Sequence, residues 1–281
     1  MQFQYYRFFL SPIDGNLFTQ IPNSKENALK YIFNNDYEGF YRGITYSICK
    51  EKTIDDMLLY RIAKHTSIQI NKSPEEHFEC EHVDHWPNVS MVIGINPEIN
   101  DTYGQIIAVE VKKNVINNPI TILRRWADKV NENLAVYGYV LSINPITTEK
   151  NFWAIVDKYK NEIEEVVFEY SMPNLFNTGD TLEEELKAAN QSTNASKAAL
   201  TLSNKVGTLN LSEDNTLLKQ TAEYIENGGG EFKLKRKGVQ TYIMSASKIK
   251  TQRFEIENLY VESQEGRTLK QMLKDILSMG E

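Results

Sequence analysis

The chain lacks the features that mark membrane and secreted proteins. No apolar run approaches the roughly 20 residues that a membrane-spanning helix needs, so we expect no membrane insertion. Only two cysteines are present, Cys49 and Cys80, too few for a disulfide framework. The first residues contain no basic leader and no small-residue cleavage site, and they are predicted to form a strand and a turn rather than a signal peptide. Together these absences predict a cytoplasmic protein.

The chain also lacks a net positive charge. Its 38 acidic residues outnumber its 31 basic residues, which gives a formal net charge of −7. This balance argues against a nucleic-acid-binding protein that works through its overall charge. The charge is unevenly distributed, however, because residues 229–281 contain 10 Lys and Arg against 7 Asp and Glu. We therefore expect an anionic partner to contact the C-terminal part.

The length and composition are those of a globular protein with real hydrophobic cores. The chain has 281 residues, of which 41% are hydrophobic and 25% charged. Mixed helix and strand signals predict an α+β fold with a mixed sheet and flanking helices. A stretch rich in Ala, Ser, Asn and Thr near residues 180–204 divides the chain. The expected organisation is a larger module over residues 1–175, a helical linker over 176–205 and a basic α+β module over 206–281.

Residues 86–112 are predicted to form a central hairpin of the first module. Two apolar runs, 89–95 and 106–111, flank a connection that is rich in Asn, Pro, Asp and Gly. This is the pattern of two strands joined by a loop.

The second strand of this hairpin ends in a Glu-x-Lys sequence. Alternation along a strand places Glu110 and Lys112 on the same side. A carboxylate that binds Mg²⁺, with an ammonium group beside it, is the arrangement that a metal-dependent nuclease needs. The spacing resembles that of the PD-(D/E)xK nuclease family, and this resemblance would make both residues catalytic and Mg²⁺ the cofactor.

One position of the nuclease pattern is not matched. The family has an Asp on the preceding strand as a second metal ligand, whereas this chain has Asn88, whose neutral amide is a weaker ligand. Asp84 and Asp101 are the acids that could replace it. Alternating acid and base is also typical of a solvated strand face, and the missing Asp favours that interpretation.

A cluster of metal-ligand residue types precedes the hairpin. On a strand, Cys80, His82 and Asp84 would share one face, which is conceivable as part of a site for a soft divalent metal. Such a site needs further ligands from elsewhere, and the chain has few to offer. We therefore interpret this segment as a polar strand and predict no metal.

Residues 119–134 are predicted to form a packed helix, because apolar positions recur there at helical spacing. Arg124 and Arg125 lie near the flank of the apolar stripe, where they are candidate phosphate contacts. Solvated arginines on a helix are the plainer interpretation.

A second group of candidate nucleic-acid contacts lies in the last module. Lys233, Lys235 and Lys237 would share one strand face, with Arg236 at the turn. Ammonium groups at strand spacing roughly match the phosphate spacing along a nucleic-acid strand. An edge strand that lysines protect from aggregation is the alternative. The preceding glycines, 228–230, follow a helix and precede a strand, which is the reverse of the order in a phosphate-binding loop.

Several short segments together resemble one family of bacterial proteins. In chain order they are WPNV at 86–89, QIIAVEVKKN at 105–114, GYVLSINPI at 138–146, FW at 152–153, VVFEYSMPN at 166–174 and YIENGGG at 224–230. The set is similar to proteins encoded beside phage-defence genes, and most similar to relatives of the DNA-binding KwaB component of Kiwa systems. The resemblance implies that the strand with Glu110 is a scaffold element, and that function lies in binding nucleic acid or a phage protein.

The resemblance implies an anti-phage defence-type protein, and the residue patterns predict that it has no catalytic activity and no cofactor. Its partner is expected to be nucleic acid, DNA rather than RNA, or a protein from the same operon or from a phage. A homo-oligomer is left open. The alternative is the Mg²⁺-dependent nuclease centred on Glu110 and Lys112.

Overall fold

The fold is given by a computed structural model of the chain. The structure describes residues 1–13, 24–95, 105–148, 151–171, 181–193, 195, 197–264 and 266–278. Its helices are α1 (Ser24–Asn34), α2 (Pro119–Leu134), α3 (Asn151–Lys158), α4 (Thr181–Thr193), α5 (Thr216–Tyr224) and α6 (Leu269–Leu277). Its strands are β1 (Gln2–Pro12), β2 (Tyr37–Tyr41), β3 (Ile44–Ile54), β4 (Met57–Lys64), β5 (Thr66–Asn71), β6 (Cys80–His85), β7 (Asn88–Gly94), β8 (Ile106–Glu110), β9 (Tyr139–Pro145), β10 (Ile163–Ser171), β11 (Lys197–Ser203), β12 (Gly230–Arg236), β13 (Ile243–Met244), β14 (Thr251–Arg253), β15 (Ser263–Gln264) and β16 (Arg267–Thr268). The predicted α+β class is confirmed, with the difference that all strand pairs in the described residues are antiparallel, whereas the sequence patterns predict a mixed sheet.

Eight antiparallel strands form the large sheet, in the order β14-β1-β8-β7-β4-β3-β2, with β9 also paired to β1. The predicted central hairpin is present, since β7 and β8 are antiparallel neighbours in the middle of this sheet. Its connection, which includes Asp101, lies outside the described residues. β7 and β8 are almost wholly buried, as expected for strands that are covered on both faces.

Helices cover both faces of the large sheet, and β1 has apolar side chains on both of its sides. Tyr6, Phe8 and Leu10 face a core that α1 and α2 complete. Phe3 and Tyr5 point the other way, into a core closed by α6. The predicted helix over residues 119–134 is therefore confirmed as a packed helix, with its apolar stripe on the large sheet.

The small sheet has the order β11-β10-β12-β13. One of its faces packs on helices, and the ring of Phe152 in α3 lies 5.3 Å from that of Phe168 and 5.2 Å from that of Phe232. β10 precedes the predicted linker, yet it pairs with β11 inside the linker and with β12 beyond it. Within the linker, α4 is helical as expected, whereas β11 is a strand. The division into modules stays a prediction, and strand pairing crosses it.

A two-stranded hairpin, β5–β6, extends from the large sheet. These two strands pair with each other and with no other strand in the described part of the chain. Nearly all of their residues are exposed. We call residues 65–86 the arm.

Within the described ranges, no helix combines the length and the apolar character needed to cross a membrane.

Candidate functional site

The structure brings Glu110 and Lys112 together, as their spacing predicts. Lys112 Nζ lies 2.9 Å from Glu110 Oε1. The other carboxylate oxygen of Glu110 accepts a hydrogen bond of 2.9 Å from the backbone N–H of Ser90 on the neighbouring strand. The Glu110 side chain is 4% exposed. Both of its oxygens are thus engaged in holding β7, β8 and the following turn together.

Among the described residues, which do not include Asp101, the second acid that the nuclease pattern needs does not lie next to Glu110. Asn88 donates its side-chain N–H to the carbonyl of Trp86. Asp84 lies on the arm, where its carboxylate is 3.0 Å from His65 Nε2. No group of three potential metal ligands occurs among the described residues. The arrangement around Glu110 is that of a structural ion pair.

The predicted basic group on β12 faces acidic residues. Lys233 is paired with Glu169, Lys235 Nζ lies 2.9 Å from Glu164, and Arg236 lies 3.3 Å from Glu162. Lys237 lies beyond the strand and donates to the carbonyl of Val206 at 3.4 Å. A phosphate would have to compete with a carboxylate for three of the four cations.

The two arginines of α2 have different surroundings although they are adjacent in sequence. Arg125 lies beside a small apolar cavity between α2 and β2. Arg124 is turned about 100° around the helix from Arg125, and its guanidinium lies 2.6 Å from Glu231 on β12. Arg124 and Lys233 line one cleft between the two sheets, so two candidate residues that are distant in sequence are neighbours in space.

The arm is the surface that sequence reasoning did not select as a site. Register places Ile68, Ile70 and Val83 on one face of the ribbon, where Glu81 lies opposite Ile70 and the Thr66–His85 pair lies at the base. The other face carries Ser67, Gln69, Asn71, Cys80, His82 and Asp84. The predicted sharing of one face by Cys80, His82 and Asp84 is thus confirmed, and that face is polar. The arm is an amphipathic ribbon.

The arm presents large apolar side chains to solvent. Ile68 is 39% exposed and Ile70 45% on one face of the ribbon, Phe78 is 61% exposed at its tip and Trp86 43% at its base. Four of the eleven exposed large hydrophobic residues in the described part of the chain lie within these 22 residues. Exposed apolar side chains that cluster in one element are typical of a protein-binding site.

The tip of the arm holds Phe78 outward at a cost in backbone energy. His77 has φ 56° and Phe78 has φ 55°, so two consecutive residues other than Gly adopt the left-handed conformation. That conformation is uncommon for such residues and costs about 1–3 kcal/mol each when it is imposed by the surroundings. The backbone N–H of Phe78 is bound to the carbonyl of Ser73, which fixes the turn.

The base of the arm is a small aromatic and ionic junction. The His65 ring lies 4.7 Å from the Trp86 ring, and its Nε2 lies 3.0 Å from Asp84. The backbone N–H of Lys64 donates to the carbonyl of Pro87, and that of His65 donates to the carbonyl of Thr45. These contacts fix the direction in which the ribbon leaves the sheet.

Two signals in the sequence could have identified the arm. All four histidines of the chain, His65, His77, His82 and His85, lie within it. Ile68 and Ile70 alternate with polar residues beside a strand that has no apolar alternation of its own. Exposed isoleucines that alternate along one strand mark a candidate partner-binding surface.

The resemblance to relatives of KwaB stays a prediction, and the function must be argued from the geometry above. No protein-family model, no curated protein and no solved structure matches this chain.

Proposed function

We propose that this is a non-catalytic binding protein whose arm docks on a partner protein. The observation that carries the proposal is the group of exposed apolar side chains on the arm, with Ile68 and Ile70 on one face and Phe78 at the tip. A two-stranded hairpin is marginally stable on its own in water. A partner that covers the apolar side chains of this hairpin would stabilise it and would explain why it projects from the sheet.

The charge of the arm specifies the chemistry of the partner. The arm contains five carboxylates, Glu75, Glu76, Glu79, Glu81 and Asp84, against the single Lys72. The partner should therefore have a basic surface around an apolar groove that accepts the isoleucine face. Complementary charges of this kind accelerate association and exclude wrong partners.

The other half of the expectation, nucleic-acid binding through Lys233, Lys235, Arg236 and Lys237, is the weaker candidate. Its cations have carboxylate or carbonyl partners. The Mg²⁺-dependent nuclease is weaker still, because the Glu110 carboxylate is engaged by Ser90 and Lys112.

The setting of the proposed function is phage defence in the bacterial cytoplasm, with a partner encoded in the same operon or by a phage. The resemblance to proteins encoded beside phage-defence genes supports this setting. Two free cysteines, Cys49 and Cys80, support a reducing compartment.

The test compares an arm variant with a matched surface variant. Ile68→Ser with Ile70→Ser removes the isoleucines of the arm, while Phe40→Ser changes a more exposed apolar side chain on β2, which is 72% exposed. Each purified product of the neighbouring genes is titrated against wild type and both variants by calorimetry. The proposal is supported if the arm variant binds a product at least about tenfold more weakly than wild type does, while Phe40→Ser keeps the wild-type affinity.

Two outcomes would contradict the proposal. Equal binding by wild type and the arm variant would place the interface elsewhere. Concentration-dependent dimerisation that disappears in the arm variant would identify a second copy of this chain as the occupant of the arm.

A further inference from the structure

A second surface, independent of the arm, has the properties of a ligand site. It is a cleft of about 400 Å³ between α2 and β9 on one side and the outer face of the small sheet on the other. This volume lies in the range of small-molecule sites. The cleft is lined on one side by Arg124, Asp128, Asn131, Ser142 and Asn144, and on the other by Glu169, Ser171, Lys197, Glu231 and Lys233.

One wall of the cleft is a strand edge. β9 has a strand neighbour, β1, along only one of its two edges in the described structure. Hydrogen bonding alternates along this antiparallel pair, so the backbone N–H and C=O groups of Leu141 and Ile143 point away from β1. Phe8, the residue opposite Ile143, donates its N–H to Gln105 on the far side of β1, which confirms this alternation. The edge of β9 thus faces the cleft, which both residues line.

A side-chain amide already occupies one pairing position on this edge. Asn131 accepts a hydrogen bond of 2.7 Å from the N–H of Leu141 and donates one of 2.8 Å to its carbonyl. These are the two bonds that a residue of a neighbouring strand would make. The position of Ile143, two residues along the same edge, is the next one at which an amide group can pair.

Charges of both signs surround this edge. Glu169 and Glu231 are directly opposite each other on β10 and β12. Lys233 is paired with the first and Arg124 with the second, and Glu231 is only 8% exposed. Asp128 and Lys197 add one charge of each sign. A ligand with one positive and one negative end fits such a balanced lining better than a simple anion does.

We propose that the cleft binds a short extended peptide with free termini, which pairs with the backbone of Ile143 at the edge of β9. The carboxylate end of the peptide is held by Lys233 and Lys197, and its ammonium end by Glu231 and Asp128. Because the peptide brings both charges, its ammonium group provides a partner for a carboxylate that its own carboxylate displaces, which a phosphate does not do. Addition of an extended peptide to a sheet edge obtains affinity from backbone hydrogen bonds, so the site does not require particular side chains. The site gives this chain a peptide-recognition function in addition to the docking of the arm.

The experiment uses tri-alanine, whose binding depends on its backbone and its two charged ends. Calorimetry and amide chemical-shift changes follow its titration into the full-length protein. We expect saturable binding, with shifts concentrated at Leu141, Ile143 and Asn144. Acetylated and amidated tri-alanine should bind at least about tenfold more weakly, since it lacks the charge-assisted hydrogen bonds.

Two pairs of variants separate the cleft from other surfaces. Ser142→Trp fills the cleft from a half-buried position and should abolish binding, whereas Ser142→Ala should keep it. Lys233→Met should weaken binding several-fold. Lys235→Met changes a lysine on the same face of the same strand, outside the cleft lining, and should not. Circular dichroism and thermal melting confirm that each variant is folded.

Failure of wild type to bind tri-alanine at millimolar concentration would overturn the proposal. So would equal binding by Ser142→Trp and Ser142→Ala, since the peptide would then bind elsewhere. Neither result bears on the arm, because none of these substitutions lies within residues 65–86.

Discussion

Lys235 on β12 forms an ion pair with Glu164 on β10, with Nζ 2.9 Å from Oε1. The hydrogen bond with Glu164 raises the pKa of the lysine above its usual value. Lys233 and Arg236 have carboxylate partners in the same way. The basic group that the sequence presents as a nucleic-acid contact is therefore one half of a strip of ion pairs between two strands.

Binding of labelled DNA should accordingly be weak, and it should increase when the acidic half of the strip is neutralised. If four phosphates were bound, the log–log salt slope would be roughly −3 to −4. We expect a smaller slope for wild type and a steeper one for the triple substitution Glu162→Gln, Glu164→Gln and Glu169→Gln. Fluorescence anisotropy with DNA and RNA at several salt concentrations measures both.

The control for this experiment neutralises exposed acids away from the strip, with Glu213→Gln, Glu223→Gln and Glu255→Gln. It makes the same change in net charge. The nucleic-acid interpretation would be restored by two results together. Wild type would bind DNA tightly, and this binding would be lost when Lys233, Lys235, Arg236 and Lys237 are replaced by Ser.

Glu110→Ala should destabilise the protein rather than remove an activity. The substitution leaves the buried N–H of Ser90 without its acceptor, a loss that costs about 1–3 kcal/mol. Glu110→Gln keeps an acceptor oxygen at that position and should cost less. Urea denaturation measures the difference in the free energy of unfolding.

A nuclease assay with Mg²⁺ and Mn²⁺ completes this comparison. We expect no metal-dependent cleavage of DNA or RNA by wild type. Cleavage that is lost in both Glu110→Ala and Lys112→Ala would establish the PD-(D/E)xK alternative instead.

Gly230→Ala should weaken the small sheet. A Cβ at this position would overlap the backbone carbonyl of Glu169 on β10, so β10 and β12 would have to separate. Overpacking that moves backbone typically costs about 1–3 kcal/mol. Gly39→Ala is the matched control on β2, where a Cβ meets nothing within 4 Å, and it should change stability by less than about 0.5 kcal/mol. Thermal melting of the two variants distinguishes these outcomes.

Stability should decrease at alkaline pH because of buried tyrosines. Burial raises the pKa values of Tyr5, Tyr6 and Tyr60 above the usual value of about 10. The folded state therefore favours the neutral phenol, and this contribution is complete below about pH 10 and is lost as the pH rises above it. Urea midpoints between about pH 8 and 11 measure the effect.

Tyr60→Phe provides the control for the alkaline effect. It removes one titrating group and the hydrogen bond to the carbonyl of Phe33, at a cost of about 1 kcal/mol at neutral pH. Its stability should then depend less steeply on alkaline pH than that of wild type. An identical pH dependence would show that Tyr60 does not contribute.

The parts of the fold that the sequence predicts are those with strong local patterns. The apolar runs of β7 and β8 identify the central hairpin, and the periodic stripe on α2 identifies a packed helix. The proximity of Glu110 and Lys112 also follows from strand alternation alone. Each of these patterns is complete within about 20 residues.

The remaining features depend on contacts between distant segments. Glu169 and Lys233 meet only because β12 pairs with β10 in a particular register, which neither strand specifies by itself. Residues 57–70 mix helical and strand signals, so their sequence does not predict that β5 pairs with β6. The arm therefore could not be predicted either. The cleft likewise combines α2 with β12, which are separated by about 100 residues of sequence.

The pairing of β1 has a consequence for synthesis on the ribosome. β1 is translated before β8, β9 and β14, yet it pairs with all three, and Gln2 lies opposite Arg253. Its two apolar faces, with Phe3 and Tyr5 on one and Phe8 on the other, must stay uncovered while the intervening chain emerges. A nascent chain of this kind exposes aggregation-prone surface for most of its translation. Its folding yield should depend on chaperones that bind the emerging β1.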